Sequence, residues 1–179
     1  MQTQCAQKWL HFAKSSLFLL NNMSALALLK ALKEKGLTLC AAESCTAGLV
    51  ADKIVSIPGA SAVFKGSLVC YTNEIKEKVL GVYKDTLLAY TAVSAETALE
   101  MAKNAKALFD TDCAISATGV AGPATEWDEA PVGTVYVGIC SPSGERVVRL
   151  ALEGERADIR HKAAEAAIYE LLCDVSQEA

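Results

Sequence analysis

The chain has 179 residues, 52% of them hydrophobic and 21% charged, with a formal net charge of −4 at neutral pH. That length suits one domain with a substantial buried core, and the composition argues against a long disordered tail. The acidic balance, with no Lys/Arg run or basic stripe, excludes the usual electrostatic footprint of a nucleic-acid binder and leaves a small molecule as the better partner.

In chain order, residues 1–22 read as an N-terminal extension in which Trp9, Leu10, Phe12, Leu17, Phe18, Leu19 and Leu20 are interrupted by Lys8 and Lys14. The apolar core is too short for a membrane span and lacks the small-residue cleavage site of a secretory signal. An amphipathic extension packed on the domain or on a neighbouring subunit is expected, and with it a homo-oligomer without a membrane anchor. The domain itself runs from 23 to 179. Met23 could be a natural start, since Ser24 is placed to cap a helix carrying Leu28, Leu29 and Leu32, which Gly36 stops. Leu37 to Ala42 is a short buried strand. It leads into a tight turn and a helix from Thr46 on which Leu49, Val50, Ile54 and Val55 share a face.

Breakers at Ile57-Pro58-Gly59-Ala60-Ser61 precede a second strand, Ser67 to Tyr71, and a helix that begins at Thr72-Asn73-Glu74 and ends at Gly81. Val93-Ser94 opens a longer helix with Ala98, Met101, Ala105 and Leu108 on one face. Cys113 to Ala117 is a third strand, followed by a loop from Thr118 to Pro131. Val132 to Cys140 and Arg146 to Leu152 form a hairpin about Ser141-Pro142-Ser143-Gly144-Glu145. The last helix buries Ala164, Ile168, Leu171, Leu172 and Val175, and Arg156 and Arg160 extend that line toward its start. Strands alternating with helices, with one late hairpin, predict a single-domain α/β fold: a three-layer α/β/α sandwich with a mixed β-sheet.

Seven cysteines form no Cys-x-x-Cys pair, and Cys40, Cys70, Cys113 and Cys140 lie in apolar runs where a thiol acts as a small hydrophobe. Reduced thiols and a cytoplasmic location are expected. Two histidines and no His/Cys cluster offer little from which to build a transition-metal site, so neither metal nor cofactor is expected.

Ser44, Tyr71 and the turn after Ala117 each fall where a strand gives way to a loop or helix, the region where open α/β sheets bind ligands. Ser44 at a strand-to-helix junction would lie beside N–H donors suited to a developing oxyanion. The same position suits a plain helix cap. Cys45 is the alternative nucleophile, but a thiol generally needs a histidine partner, and His11 and His161 lie in the extension and on the last helix. Cys45 is expected to pack, its N–H and that of Thr46 serving the oxyanion.

The segments Ala42-Glu43-Ser44-Cys45-Thr46, Tyr71-Thr72-Asn73-Glu74-Ile75-Lys76, Ala92-Val93-Ser94, Thr118-Gly119-Val120-Ala121-Gly122-Pro123 and Pro131-Val132-Gly133-Thr134-Val135-Tyr136 occur in unbroken order. In them the chain resembles the CinA C-terminal domain family, from about Leu26 to about Leu172. The resemblance implies a three-layer α/β/α fold and a nicotinamide-nucleotide amidase that hydrolyses nicotinamide mononucleotide to the acid and ammonia by a serine-lysine mechanism. It places the nucleophile on Ser44, a tyrosine on Tyr71 and the lysine on Lys76. Two positions depart from the family. Thr46-Ala47-Gly48 replaces a glycine pair, and Ala124 to Glu129 replaces a glycine-rich run, with Glu126, Asp128 and Glu129 placed to repel a phosphate if they face it.

A lysine with an ordinary pKa of about 10.4 is a poor base, and lowering it to about 7 corresponds to roughly 4 to 5 kcal/mol. Burial and a place in the first turn of a helix, where the dipole disfavours an ammonium, act in that direction for Lys76. As a solvated surface lysine it would instead pair with a nearby glutamate. Arg156 and Arg160, near a helix start, would suit a substrate phosphate, or equally an ion pair with Glu153 or Glu155. Thr118, Gly119 and Gly122 complete the expected substrate contacts, the glycines by letting backbone N–H groups approach the phosphate. The same pocket on a catalytically silent nucleotide-binding module is the alternative to an enzyme.

Overall fold

A computed structural model describes residues 23–123 and 130–176. The N-terminal extension and the acidic stretch 124–129 lie outside the described residues.

Helix α1, Met23–Lys35, buries Leu28, Leu29 and Leu32 on one face and ends where Gly36 takes φ 67°, a left-handed conformation that costs glycine nothing. Ser24, expected as its cap, lies buried within the helix. Strand β1, Leu39–Glu43, is buried at every position, and α2, Leu49–Val55, follows the turn 44–48. A 3₁₀ turn at Ala60–Ala62 leads to β2, Phe64–Val69, which begins three residues earlier than expected and ends before Tyr71. Helix α3, Asn73–Lys78, is capped by Thr72, whose Oγ1 accepts the Ile75 N–H at 3.3 Å. Next come α4, Lys84–Tyr90, and α5, Ala95–Phe109, the latter capped by Ser94. Strands β3, Cys113–Gly119, β4, Thr134–Ser141, and β5, Gly144–Ala151, precede the closing helix α6, Arg156–Ser176. The short helix α4 has no sequence signature because it buries Leu87 alone and leaves Leu88 and Tyr90 exposed. In α2 and α5 the apolar stripe overshoots the core, leaving Val55 and Leu108 exposed.

The five strands form one mixed sheet in the order β2-β1-β3-β4-β5. β1 pairs parallel with β2 and β3, whereas β3–β4 and β4–β5 are antiparallel. Side chains alternate across it as the pleat requires. Leu39, Ala41, Cys113 and Ile115 meet α1, α2 and α6, while Cys40, Ala42 and Ala114 meet Met101, Ala102 and Ala105 of α5 on the other face. This is the expected three-layer sandwich.

The topology gathers one set of chain ends. The C-terminal ends of the parallel strands β1, β2 and β3, the start of β4 and the entry to α6 all fall at the same edge of the sheet. Cys40, Cys45, Cys70, Cys113 and Cys140 are free and buried, but Cys173, half-buried on α6, is in a disulfide, so the expectation of uniformly reduced thiols fails there. Pairing depends on proximity in space, which sequence spacing does not report. No helix among the described residues is long and apolar enough to cross a membrane.

Candidate active site

At that sheet edge lies a cavity of about 560 Å³, within the range of small-molecule sites. Ser44, Cys45, Tyr71, Lys76, Thr118, Gly119 and Arg156 line it, with Thr72, Asn73, Ala92, Val93 and Ala121.

Ser44 leaves β1 with its N–H donated to Ala117 O at 2.9 Å, which ties the turn to the end of β3. It is not the cap of α2; Gly48 is, with φ 98°. The Glu43 carboxylate supplies the capping oxygens. Wholly buried, it accepts the N–H of Gly48 at 2.8 Å, Val50 at 3.0 Å and Ala51 at 3.0 Å, and the Ser67 hydroxyl at 2.8 Å. A carboxylate at a helix start is favoured by the dipole and by the unpaired N–H groups there. Sequence reasoning passed over Glu43. The available signal was an acidic residue closing an apolar strand directly before a helix.

With the donors of α2 so engaged, those left beside Ser44 are the N–H groups of Cys45 and Thr46, which donate to no backbone acceptor among the described residues. Both lie beside the Cys45 sulfur. Burial pushes the Cys45 thiol up to about 12, the N–H groups of Cys45 and Thr46 offsetting part of that rise. It is therefore protonated at neutral pH and a poor nucleophile.

Lys76 is 1% exposed although, Ile75 apart, the other residues of its six-residue helix are open to solvent. Its Nζ stands 2.9 Å from Ser44 Oγ, 3.2 Å from Cys70 O and 3.3 Å from Tyr71 O. The surface-lysine alternative is thereby ruled out. The two carbonyls can accept both N–H bonds of a neutral amine, leaving its lone pair for the serine O–H.

Tyr71 does not stand between them. Its backbone carbonyl meets Lys76, but its side chain is 56% exposed and its hydroxyl accepts a hydrogen bond from Arg156 Nη2 at 3.0 Å. Lysine and serine touch directly, and the phenol hydroxyl is turned to Arg156.

The two arginines divide. Arg156 lines the cavity and donates from Nη1 to Gly122 O at 2.6 Å. Arg160, one turn further along α6, turns to the Ser44 loop, giving Nε to Cys45 O and Nη2 to Thr46 O, both at 3.0 Å. Its fork is occupied by the backbone of Cys45 and Thr46, so of the two arginines only Arg156 lines the cavity. Neither Arg160 nor Thr46 nor Gly122 lines the cavity. The Thr46 side chain is buried with its hydroxyl unpaired among the described residues. The Thr118 hydroxyl donates to Ala92 O at 2.7 Å and so fixes a cavity wall. Gly119 is required by packing, since a Cβ there would lie 2.6 Å from Thr134 O.

The family model described as the CinA C-terminal domain matches residues 21–174. A putative competence-damage inducible protein of Caldanaerobacter subterraneus subsp. tengcongensis is 53% identical over 132 residues, covering 74% of this chain and 32% of that protein. A CinA-like protein of Fervidobacterium nodosum is 45% identical over 125 residues, covering 70% and 31%. The chain thus spans about a third of the length of these curated relatives. Among solved structures, the competence damage-inducible protein A (ComA) of Klebsiella pneumoniae superposes with a TM-score of 0.85 at 28% identity, covering 89% of this chain and 99% of that one. The competence/damage inducible protein CihA of Agrobacterium tumefaciens does so with a TM-score of 0.83 at 34% identity, covering 88% and 96%.

Proposed function

The chain belongs to the CinA C-terminal domain family, and from that membership we propose that it is an amidohydrolase that converts nicotinamide mononucleotide to nicotinate mononucleotide and ammonia. The observation that carries the reading is the 2.9 Å contact between a fully buried lysine amine and a serine hydroxyl that opens on a cavity. A serine hydroxyl is a weak nucleophile unless an adjacent base takes its proton. Holding an ammonium out of water is costly, so the burial of Lys76 favours the neutral amine that such a base must be.

In this reading Ser44 Oγ attacks the carboxamide carbon while its proton passes to Lys76 Nζ. The carbonyl oxygen becomes an oxyanion beside the N–H groups of Cys45 and Thr46, which Arg160 holds in place through their carbonyls. Collapse breaks the C–N bond, and Lys76 returns the proton to the departing nitrogen, which leaves as ammonia. Water, deprotonated by the same amine, then hydrolyses the ester on Ser44, giving the acid and restoring the serine O–H. Arg156 supports the choice of a phosphate-bearing substrate, as the cation at the cavity rim. Small apolar side chains at Ala92, Val93 and Ala121 offer a wall for a pyridine ring. Ammonia release from nicotinamide mononucleotide, the riboside and free nicotinamide tests the proposal. Mononucleotide turnover that disappears in Ser44→Ala supports it, and no release from any of the three rejects it.

A further inference from the structure

Tyr71 and Arg156 come from opposite sides of the cavity mouth, the first from the chain leaving β2 and the second from the start of α6, 85 residues apart. Both are exposed at its rim. Their hydrogen bond is the one polar contact of the Tyr71 hydroxyl among the described residues. The guanidinium has only neutral partners there, the phenol at 3.0 Å and the Gly122 carbonyl at 2.6 Å, and no carboxylate among the described residues pairs with it. Among the described residues, a full positive charge is therefore held at the mouth of the cavity by two neutral oxygens.

We propose that this pair is an anion-released latch: an anionic group on the substrate displaces the Tyr71 hydroxyl from Arg156, so the latch selects ligands that carry such a group. The inference rests on the reading that the cavity takes a phosphate-bearing substrate. A hydrogen bond between ionised partners is roughly twice as strong as one to a neutral acceptor, and phosphate matches the planar guanidinium fork with two oxygens at once. The hydroxyls of a riboside have no such advantage over the phenol and leave the pair closed. The side chain of Tyr71 is 56% exposed, so little packing resists its release.

The sign of one substitution separates this device from an ordinary binding contact. Inorganic phosphate is titrated into wild type, Tyr71→Phe and Arg156→Ala by calorimetry, with thermal melts to show that all three fold. Removing the competing hydroxyl should tighten phosphate binding in Tyr71→Phe by roughly two- to tenfold, the equivalent of one neutral hydrogen bond. Arg156→Ala should abolish it. Unchanged or weaker phosphate binding by Tyr71→Phe overturns the latch, as does phosphate binding that survives Arg156→Ala. Phosphate binding is read without turnover, so a chain that releases no ammonia still tests the latch. Conversely, an active amidase whose Tyr71→Phe variant binds phosphate no tighter loses the latch alone.

Discussion

Replacing Glu43 by alanine tests whether the turn that carries Ser44 is held from within. The carboxylate accepts from three backbone N–H groups at the start of α2 and from Ser67, all at 2.8–3.0 Å, and is wholly buried. Each donor orphaned in a buried site costs about 1–3 kcal/mol, and water entering the vacated space recovers part of that sum. A net loss of about 3–5 kcal/mol follows, the range for breaking a buried charged network. At about 2–4 °C per kcal/mol for a domain of this size, the melting temperature should fall by roughly 6–20 °C. Glu43→Gln keeps one acceptor and turns the other into a donor facing donors, so it should fall between the two. Ammonia release should drop in parallel, because Ser44 is the adjoining residue. Thermal melts followed by circular dichroism give the answer; an alanine variant melting within about 3 °C of wild type would refute the capping account.

Three further outcomes follow from the site. Ser44→Ala should abolish turnover while Cys45→Ala keeps most of it, and neutral-pH alkylating reagents should spare activity, because burial holds the Cys45 thiol at about 12; inactivation by alkylation of Cys45 would shift the proposed chemistry from Ser44 to the thiol. Lys76→Arg retains the charge but cannot lose its proton at accessible pH, so it should be nearly as inactive as Lys76→Met, and the rising limb of kcat/KM with pH should vanish from both variants; substantial neutral-pH turnover by Lys76→Arg would eliminate the lysine base. Arg160→Ala removes two charge-assisted bonds to the carbonyls of Cys45 and Thr46, and should lower kcat/KM about ten- to a hundredfold for mononucleotide and riboside alike; a loss confined to the mononucleotide would return the phosphate to Arg160.

The layered fold was legible in the sequence because its signals are local and periodic. The apolar spacing of α1 and α5, the buried run of β1, the glycine stop at Gly36 and the serine cap at Ser94 each act over a few residues. So was the convergence of Ser44, Tyr71 and the turn after β3, since parallel neighbours put their C-terminal ends at one edge. The contact of Lys76 with Ser44, 32 residues away, emerges only once α3 is folded back over the end of β1. Tertiary structure alone decided the roles of the other charged groups. Arg156 and Arg160 are one turn apart on the same helix, and the sequence marks both as cations near its start. Which one reaches the cavity depends on how far α6 advances past the turn at 45–46, a distance set by the packing of the whole α6 face on the sheet. The choice of Glu43 as the acceptor for the first N–H groups of α2 was hidden for the same reason. Its partners lie five to eight residues ahead and across on β2, and an isolated peptide has no surroundings dry enough to make that one carboxylate indispensable.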